Sequence, residues 1–323
     1  MSTLTPDPAA PVAIERRGIR LGDLLFKGVA GVAALGVTAV LGFLTYKIFA
    51  LAWPAMQKYG LSFIWTEAWN PNTNVYGALT FIYGTIVTSF IALLLATPLS
   101  IAIALFLTEL APRRLASPLA TMVELLAALP SVVLGLWGIL VFGPWIANHL
   151  EPWLQSWFGF LPIFSGDPSQ AGLLPAALVL TIMIIPITSA ICRELFSRVP
   201  HDLTDGSLAL GSTRWEAIRR VALPYAAPGI SAAVLLGLGR AFGEAIAVTQ
   251  VIGSGNAINR SLFPPGDTLA SRIASTYQGA SNNIEVQSLL YLGAILLVVS
   301  LITNVSAQAI VNRFQKARRM STG

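Results

Sequence analysis

Charge is what this sequence has least of. Lysine, arginine, aspartate and glutamate make up 11% of its 323 residues, against about 25% in an average soluble domain. A soluble globule of this length needs far more polar surface, so an ordinary soluble enzyme and a disordered chain are both excluded. Cysteine occurs once, at Cys192, which excludes a disulfide-stapled scaffold. Only His149 and His201 are histidines, and they are expected on opposite sides of a membrane, so no histidine-based metal cluster forms. The lysines are Lys27, Lys47, Lys58 and Lys316, and none follows a glycine. The chain therefore has no phosphate-cradling P-loop of its own. It also lacks Gly-x-Ser-x-Gly, His-Glu-x-x-His and any catalytic dyad within an apolar stretch. What fills the space is apolar: hydrophobic residues reach 55%. The class this leaves is an all-α polytopic membrane protein.

A spanning helix needs about 20 apolar residues. Six stretches qualify: Gly28 to Trp53, Gly77 to Leu107, Leu119 to Trp145, Gly172 to Cys192, Ala227 to Val251, and Glu285 to Arg313. The second would be about 46 Å long as a straight helix, so a kink is expected at Pro98. Pro130 is expected in mid-helix in the third. Residues 1–25 are expected to form a disordered cytoplasmic tail before an uncleaved anchor, 26–318 a transmembrane domain with an inner loop at 193–224, and 319–323 a second cytoplasmic tail. Lys and Arg placement sets orientation. With the N-terminus inside, the inner segments hold Arg16, Arg17, Arg20, Lys27, Arg113, Arg114, Arg193, Arg198, Arg214, Arg219, Arg220, Arg313, Lys316, Arg318 and Arg319. The outer ones hold only Lys47, Lys58, Arg260 and Arg272. The net charge of +5 is thus mostly an orientation signal and points to no nucleic-acid partner. Both termini are then cytoplasmic. Trp53, Trp65, Trp69, Trp145, Trp153 and Trp157 fall at outer span ends, as an interfacial belt would. The segment Ile146–Ala171 is expected to lie on the bilayer surface as a loop.

Two places carry more than hydropathy. The first is the inner loop, in which Gly211 separates two short helical pieces. Thr213 and Glu216 have the spacing of a capping box, and the piece that follows is expected to place Trp215, Ile218 and Ala222 on one face. Such a helix beneath a membrane is either a handle for a soluble partner or an anchor for its own loop. Trp215 reads as docking surface rather than as a chemical site. The second place is Arg240 with Glu244, one helical turn apart and about 20 Å into the fifth span. A charge there costs roughly 2.5–3.5 kcal/mol on insertion scales, so the pair should face a bundle interior or a watered path. It is either an ion pair locking helices together or an anion site, in which a planar guanidinium grips an oxyanion and Glu244 keeps the empty site near neutral. Gly239 and Gly243 beside it permit close helix approach. Thr85, Thr88 and Ser89 in the second span and Ser131 after Pro130 either line a path or satisfy local backbone groups. Glu124 either snorkels or pairs with Arg113 or Arg114.

The inner loop resembles the coupling loop of ABC importer permeases. Asp205-Gly206-Ser207 stands at the Glu-Ala-Ala position, followed at the family's spacing by Gly211, Val221 and Leu223-Pro224; the opening triplet departs from the pattern but keeps the acid. Arg-Ala-Phe-Gly-Glu at 240–244, Glu-Leu-Leu-Ala-Ala-Leu-Pro-Ser at 124–131 and Gly-Thr-Ile-Val-Thr-Ser at 84–89 are similar to the phosphate-specific permeases of the Pst system, PstC type. The resemblance implies a six-helix ABC importer permease (type I) fold in the cell inner membrane and translocation of inorganic phosphate past Arg240 and Glu244. It also implies a PstA-like permease as heterodimer partner, a dimer of ATP-binding subunits docked on the inner loop, and an extracytoplasmic phosphate-binding protein. No cofactor is expected on this chain, with ATP and Mg held by the ATPase partner. Other expectations are a permease for molybdate or sulfate, a stand-alone secondary carrier, and an intramembrane enzyme, which the missing catalytic constellation disfavours.

Overall fold

The computed structural model describes residues 21–321, without the side chains of residues 21, 23–24, 113, 310 and 313–321. Most of the expected tail at 1–25, with Arg16, Arg17 and Arg20, lies outside the described residues, as do residues 322–323 and the side chains of Arg113, Arg313, Lys316, Arg318 and Arg319. The chain divides into two compact units, 1–47 and 48–323. The first contributes the start of helix α1 (Leu21–Tyr59). Its described side chains are exposed, including Phe26, Val32, Leu35 and Leu44, an apolar surface of the kind lipid solvates.

In the second unit the helices longer than a single turn are, among the described residues, α2 (Leu79–Leu110), α3 (Arg113–Ala127), α4 (Ser131–Phe158), α5 (Leu173–Ser197), α6 (His201–Ala209), α7 (Arg214–Gly243), α8 (Ile246–Val251), α9 (Leu269–Thr276) and α10 (Asn283–Ser321). Among the described residues, six helices are long and apolar enough to cross a membrane, in agreement with the number expected. The small strands β1 (Trp69–Asn70) and β2 (Val75–Tyr76) pair antiparallel, Trp69 opposite Tyr76.

Three boundaries differ from expectation. The third span does not run through Pro130: α3 ends at Ala127 and a new helix starts at Ser131. Proline offers no N–H and its ring clashes with the carbonyl four residues back, so a helix readily restarts there with proline ahead of its first turn. At the far end, Ile146–Ala171 is not a surface loop throughout, because α4 continues to Phe158. The fifth span begins at Arg214, without a break at Leu223-Pro224. A common device explains the last two. Wide π-helical turns occupy Phe106–Leu110, Gly138–Phe142, Ile146–Leu150 and Ile218–Ala222, and each ends two residues before a proline: Pro112, Pro144, Pro152 and Pro224. A turn closed by i→i+5 bonds makes room for a ring that the tighter α-turn excludes. At Pro98 the helix simply persists from Leu79 to Leu105.

Helices α2 and α5 pack along each other at the centre. Ala92, Ala96, Ala176, Val179, Leu180 and Ile184 are buried there together with Ala247, Val248 and Val251 of α8. A second cluster joins Ala52 and Ala55 to Phe63, Tyr76, Phe81, Leu289 and Leu292. A third, at the end carrying residues 198–213, holds Ala104, Cys192, Phe196, Ala226 and Ile230. Trp69 belongs to the second cluster, edge-on to Tyr76 and Phe81, and so leaves the expected belt; Trp53, Trp65, Trp145, Trp153 and Trp157 are exposed as the belt requires.

Between α8 and α9 the chain folds back into the bundle. Gly266 N–H donates to Ile252 O (3.0 Å), Gly255 N–H to Gly266 O (2.7 Å) and Leu174 N–H to Leu262 O (2.9 Å). Asp267, fully buried, lies 3.2 Å from Arg272 Nε, whose guanidinium stacks over Phe81 at 4.7 Å. Burial pushes the Asp267 carboxyl up to about 6, while Arg272 pulls it back. The returning strand passes so close to α2 that a Cβ on Gly84 would collide with the Asp267 carbonyl. Gly84→Leu should therefore lower the thermal midpoint of the purified protein markedly, by an overpacking penalty of about 1–3 kcal/mol or more. Gly36→Ala, where nothing lies within 4 Å, should leave the midpoint within error.

Candidate functional site

Mid-bundle, near the end of α7, stand Arg240 and Glu244. A Cβ on Gly237 would stand 2.9 Å from Ile184 and 3.7 Å from Leu93, both near the middles of their helices. Arg240 lies three residues further on, within one turn of that level. Its Nη2 is 3.7 Å from Glu244 Oε2, with the Glu244 side chain 10% exposed and that of Arg240 35%. The two expected site residues are thus brought together. The helix joining them is not what the spacing predicts: α7 ends at Gly243 and Glu244 is extended, φ −73°, ψ 111°. The Glu244 carboxylate has a second task that explains the break. Its Oε1 accepts the Ala247 N–H at 3.3 Å, satisfying a free donor at the start of α8. One carboxylate therefore faces both the guanidinium and a helix start.

Arg240 keeps spare capacity. Its Nε is buried and without a hydrogen-bond partner. Beside it opens a cavity of about 590 Å³ lined by Ile187, Leu235, Leu236, Gly239, Arg240, Gly243 and Asn304. Nothing lies within 4 Å of a Cβ on Gly239 or Gly243, so among the described residues no helix of this chain fills the small-residue face. Asn304 is the site residue that sequence reasoning missed. The signal available was one amide in an otherwise apolar run, Leu-Ile-Thr-Asn-Val at 301–305.

The other candidate path residues lie elsewhere in the packing. Thr85 Oγ1 donates to Phe81 O (2.8 Å) and accepts Leu269 N–H (3.0 Å), tying α2 to α9. Thr88 Oγ1 donates to Gly84 O (2.8 Å). Both are buried, as is Ser89, whose hydroxyl has no partner. Ser131 is half-buried in the first turn of α4. Glu124 pairs with Arg193 of α5 and not with Arg114, because α3 lies against α5; the side chain of Arg113 lies outside the described residues.

At one end of the bundle, α6 and the start of α7 form a helical hairpin with Gly211 at its tip. Gly211 takes φ +90°, a conformation that glycine adopts without steric cost. The capping box is formed: Thr213 N–H donates to Glu216 Oε2 (2.9 Å) and Glu216 N–H to Thr213 Oγ1 (3.3 Å). Ser207 and Ser212 hydroxyls meet at 2.7 Å across the turn. Asp205 and Gly206 are exposed, while Leu223 and Pro224 are half-buried. The expected face splits: Ile218 and Ala222 are buried with Ala217, whereas Trp215 is 64% exposed. Trp215 and Ile218 are three residues apart, yet the hairpin packs on only one of them. With Leu210 at 92% exposure, the tip presents apolar side chains to whatever meets it. Replacing the cap, Thr213→Ala, should cost about 1 kcal/mol locally, read as faster amide exchange over residues 213–217 with the overall thermal midpoint unchanged.

Comparison with known proteins agrees with this architecture. Residues 96–316 match the family model described as binding-protein-dependent transport system inner membrane component. A phosphate transport system permease protein PstC of Mesorhizobium japonicum is 42% identical, covering 88% of each chain. One of Pasteurella multocida is 41% identical over 91% of this chain and 93% of its own. A crystal structure of a bacterial ABC transporter involved in alginate import superposes with a TM-score of 0.57 at 16% identity, over 90% of this chain and 98% of that one. The inward-facing MetNI methionine ABC transporter gives 0.52 at 17% identity, over 72% and 94%. These two show the fold, that of an ABC importer permease. With six spanning helices, a mid-bundle Arg–Glu pair and a Gly211-tipped hairpin, the chain belongs to the binding-protein-dependent transport system inner membrane components, alongside the PstC permease proteins.

Proposed function

We propose that this chain is the permease subunit through which an ATP-driven importer moves inorganic phosphate across the cell inner membrane. The observation that carries the reading is Arg240, held by Glu244 at mid-bundle beside an open cavity and with a buried Nε left over. Its planar donors suit an oxyanion in two-point contact. Glu244 offsets the guanidinium in the empty state and competes with a bound anion, so phosphate is held without being trapped. The names of the PstC relatives support phosphate as the anion.

The chain lacks a P-loop, so ATP and Mg are held by a partner: a dimer of ATP-binding subunits, one of which seats the tip at Asp205–Ser212 with Trp215. A PstA-like permease pairs with this chain across a pseudo-twofold axis, so that the cavity lined by Gly239, Arg240 and Gly243 lies between the two permeases, and an extracytoplasmic binding protein delivers phosphate at the end opposite the hairpin. The N- and C-termini lie in the cytoplasm, on the side of the hairpin and its Arg214, Arg219 and Arg220. Transport is by alternating access: closure of the ATPases moves the hairpin, and the cavity at Arg240 opens to one side and then the other.

The direct test is ATP-dependent phosphate uptake into proteoliposomes, with and without the partner subunits, and with molybdate or sulfate as competitors. Efficient competition by either anion would replace phosphate as the substrate. Arg240→Ala should lower phosphate uptake roughly 100-fold, the loss of charge-assisted hydrogen bonds, while the complex still co-purifies; wild-type uptake would remove Arg240 from the mechanism. Gly211→Trp should reduce ATPase co-purification and uncouple ATP hydrolysis from uptake. Normal association and coupling in that variant would move the docking surface elsewhere.

A further inference from the structure

The cavity beside Arg240 has a second polar wall, and its chemistry is unspent. Asn304 projects from α10 into the same space that Arg240 faces from α7. Polar side chains inside spans normally satisfy themselves at short range. Thr303, its neighbour, donates to Val299 O at 2.7 Å, and Thr85, Thr88 and Thr181 bond back in the same way. The Asn304 amide makes no hydrogen bond to any described residue, and it is half-buried. An asparagine carries two N–H donors and a carbonyl acceptor. Keeping all three open in a membrane span is costly unless water or a ligand meets them. Every other residue lining the cavity besides Arg240 is aliphatic or glycine.

We infer that Asn304 is a second contact for the translocated anion and helps set which oxyanion passes. This rests on the proposed role of Arg240 and deepens it. Arg240 supplies charge and donors, which any oxyanion accepts. Asn304 adds an uncharged amide that both donates to an anion oxygen and accepts from a P–OH. Protonated phosphate offers both partners, whereas sulfate at neutral pH offers acceptors only. A site that hydrogen-bonds a substrate hydroxyl discriminates against analogues lacking it, since the protein group is then left unpaired. The amide also adds no charge, so it grips without slowing release as a second arginine would.

The test uses the reconstituted transport complex. Asn304→Leu should raise the phosphate KM about tenfold, the worth of a lost neutral hydrogen bond, and should increase inhibition by sulfate relative to wild type. Asn304→Gln, which keeps the amide, should recover most of both. A wild-type KM together with unchanged sulfate inhibition in Asn304→Leu would overturn the inference. If Asn304→Leu does not assemble, Asn304→Cys carries the question, because the native Cys192 is buried and contributes little background. A small charged methanethiosulfonate reagent should label Asn304→Cys, more slowly with inorganic phosphate present. Absence of labelling, or a rate indifferent to phosphate, would overturn it equally. Arg240→Ala in the same assay separates the two levels. Undiminished uptake in that variant defeats the transport role of the Arg240 site, whereas lost uptake there beside a normal Asn304→Leu defeats only the role of Asn304.

Discussion

A hydrocarbon layer offers no partner to a bare polar group, and the arrangement of this bundle follows from that constraint. Main-chain donors and acceptors are absorbed by helices, so the problem concentrates wherever helix is interrupted or a side chain is charged. Three solutions recur. The backbone segment between α8 and α9 is laced to Ile252, Gly266 and Leu174 by main-chain hydrogen bonds. Asp267 and Arg272 are sealed together under Phe81 and Trp69. Glu244 is shared between Arg240 and the first turn of α8. The first two leave no room for a ligand. Arg272, like Arg240, keeps buried guanidinium nitrogen without a hydrogen-bond partner, so what sets the third apart is the cavity of about 590 Å³ that opens beside it.

The six spans were legible because length and apolarity alone specify them. So were the turn at Gly211 and the cap at Thr213, since each depends on residues adjacent in sequence. Helix ends near proline were not. Proline signals a break when read locally, yet Pro144, Pro152 and Pro224 all sit just beyond a wide turn that absorbs them, while Pro130 does interrupt the helix. Pro98, Pro186 and Pro228 are carried inside ordinary α-helix, so the effect of a proline is set by its surroundings, which no single residue announces. Side-chain partners across helices were equally out of reach. Glu124 meets Arg193, 69 positions away, because α3 packs on α5, and Trp215 parts company with Ile218 because the hairpin covers only one side of its helix.

The Arg240–Glu244 pairing was foreseeable from its four-residue spacing, but the reason for it was only half visible. An intact helix would have placed the carboxylate one turn above the guanidinium. In the structure the chain has already left the helix at Glu244, and the ion pair survives as a bridge across the gap. Asn304 was invisible for a plainer reason: one amide among aliphatic residues gains meaning only when another helix turns an arginine toward the same cavity.

The wide turn at Ile218–Ala222 has a mechanical consequence. By absorbing Pro224 it lets α7 run unbroken from Arg214 to Gly243, about 45 Å of continuous helix. The exposed Trp215 and the half-buried Arg240 are thus near opposite ends of one stiff rod. A displacement imposed at Trp215 reaches Arg240 along unbroken helix, and the helix ends only beyond it, at the extended residue Glu244. Because Glu244 is also half of the charge pair, swinging the rod strains the Arg240–Glu244 contact before anything beyond it.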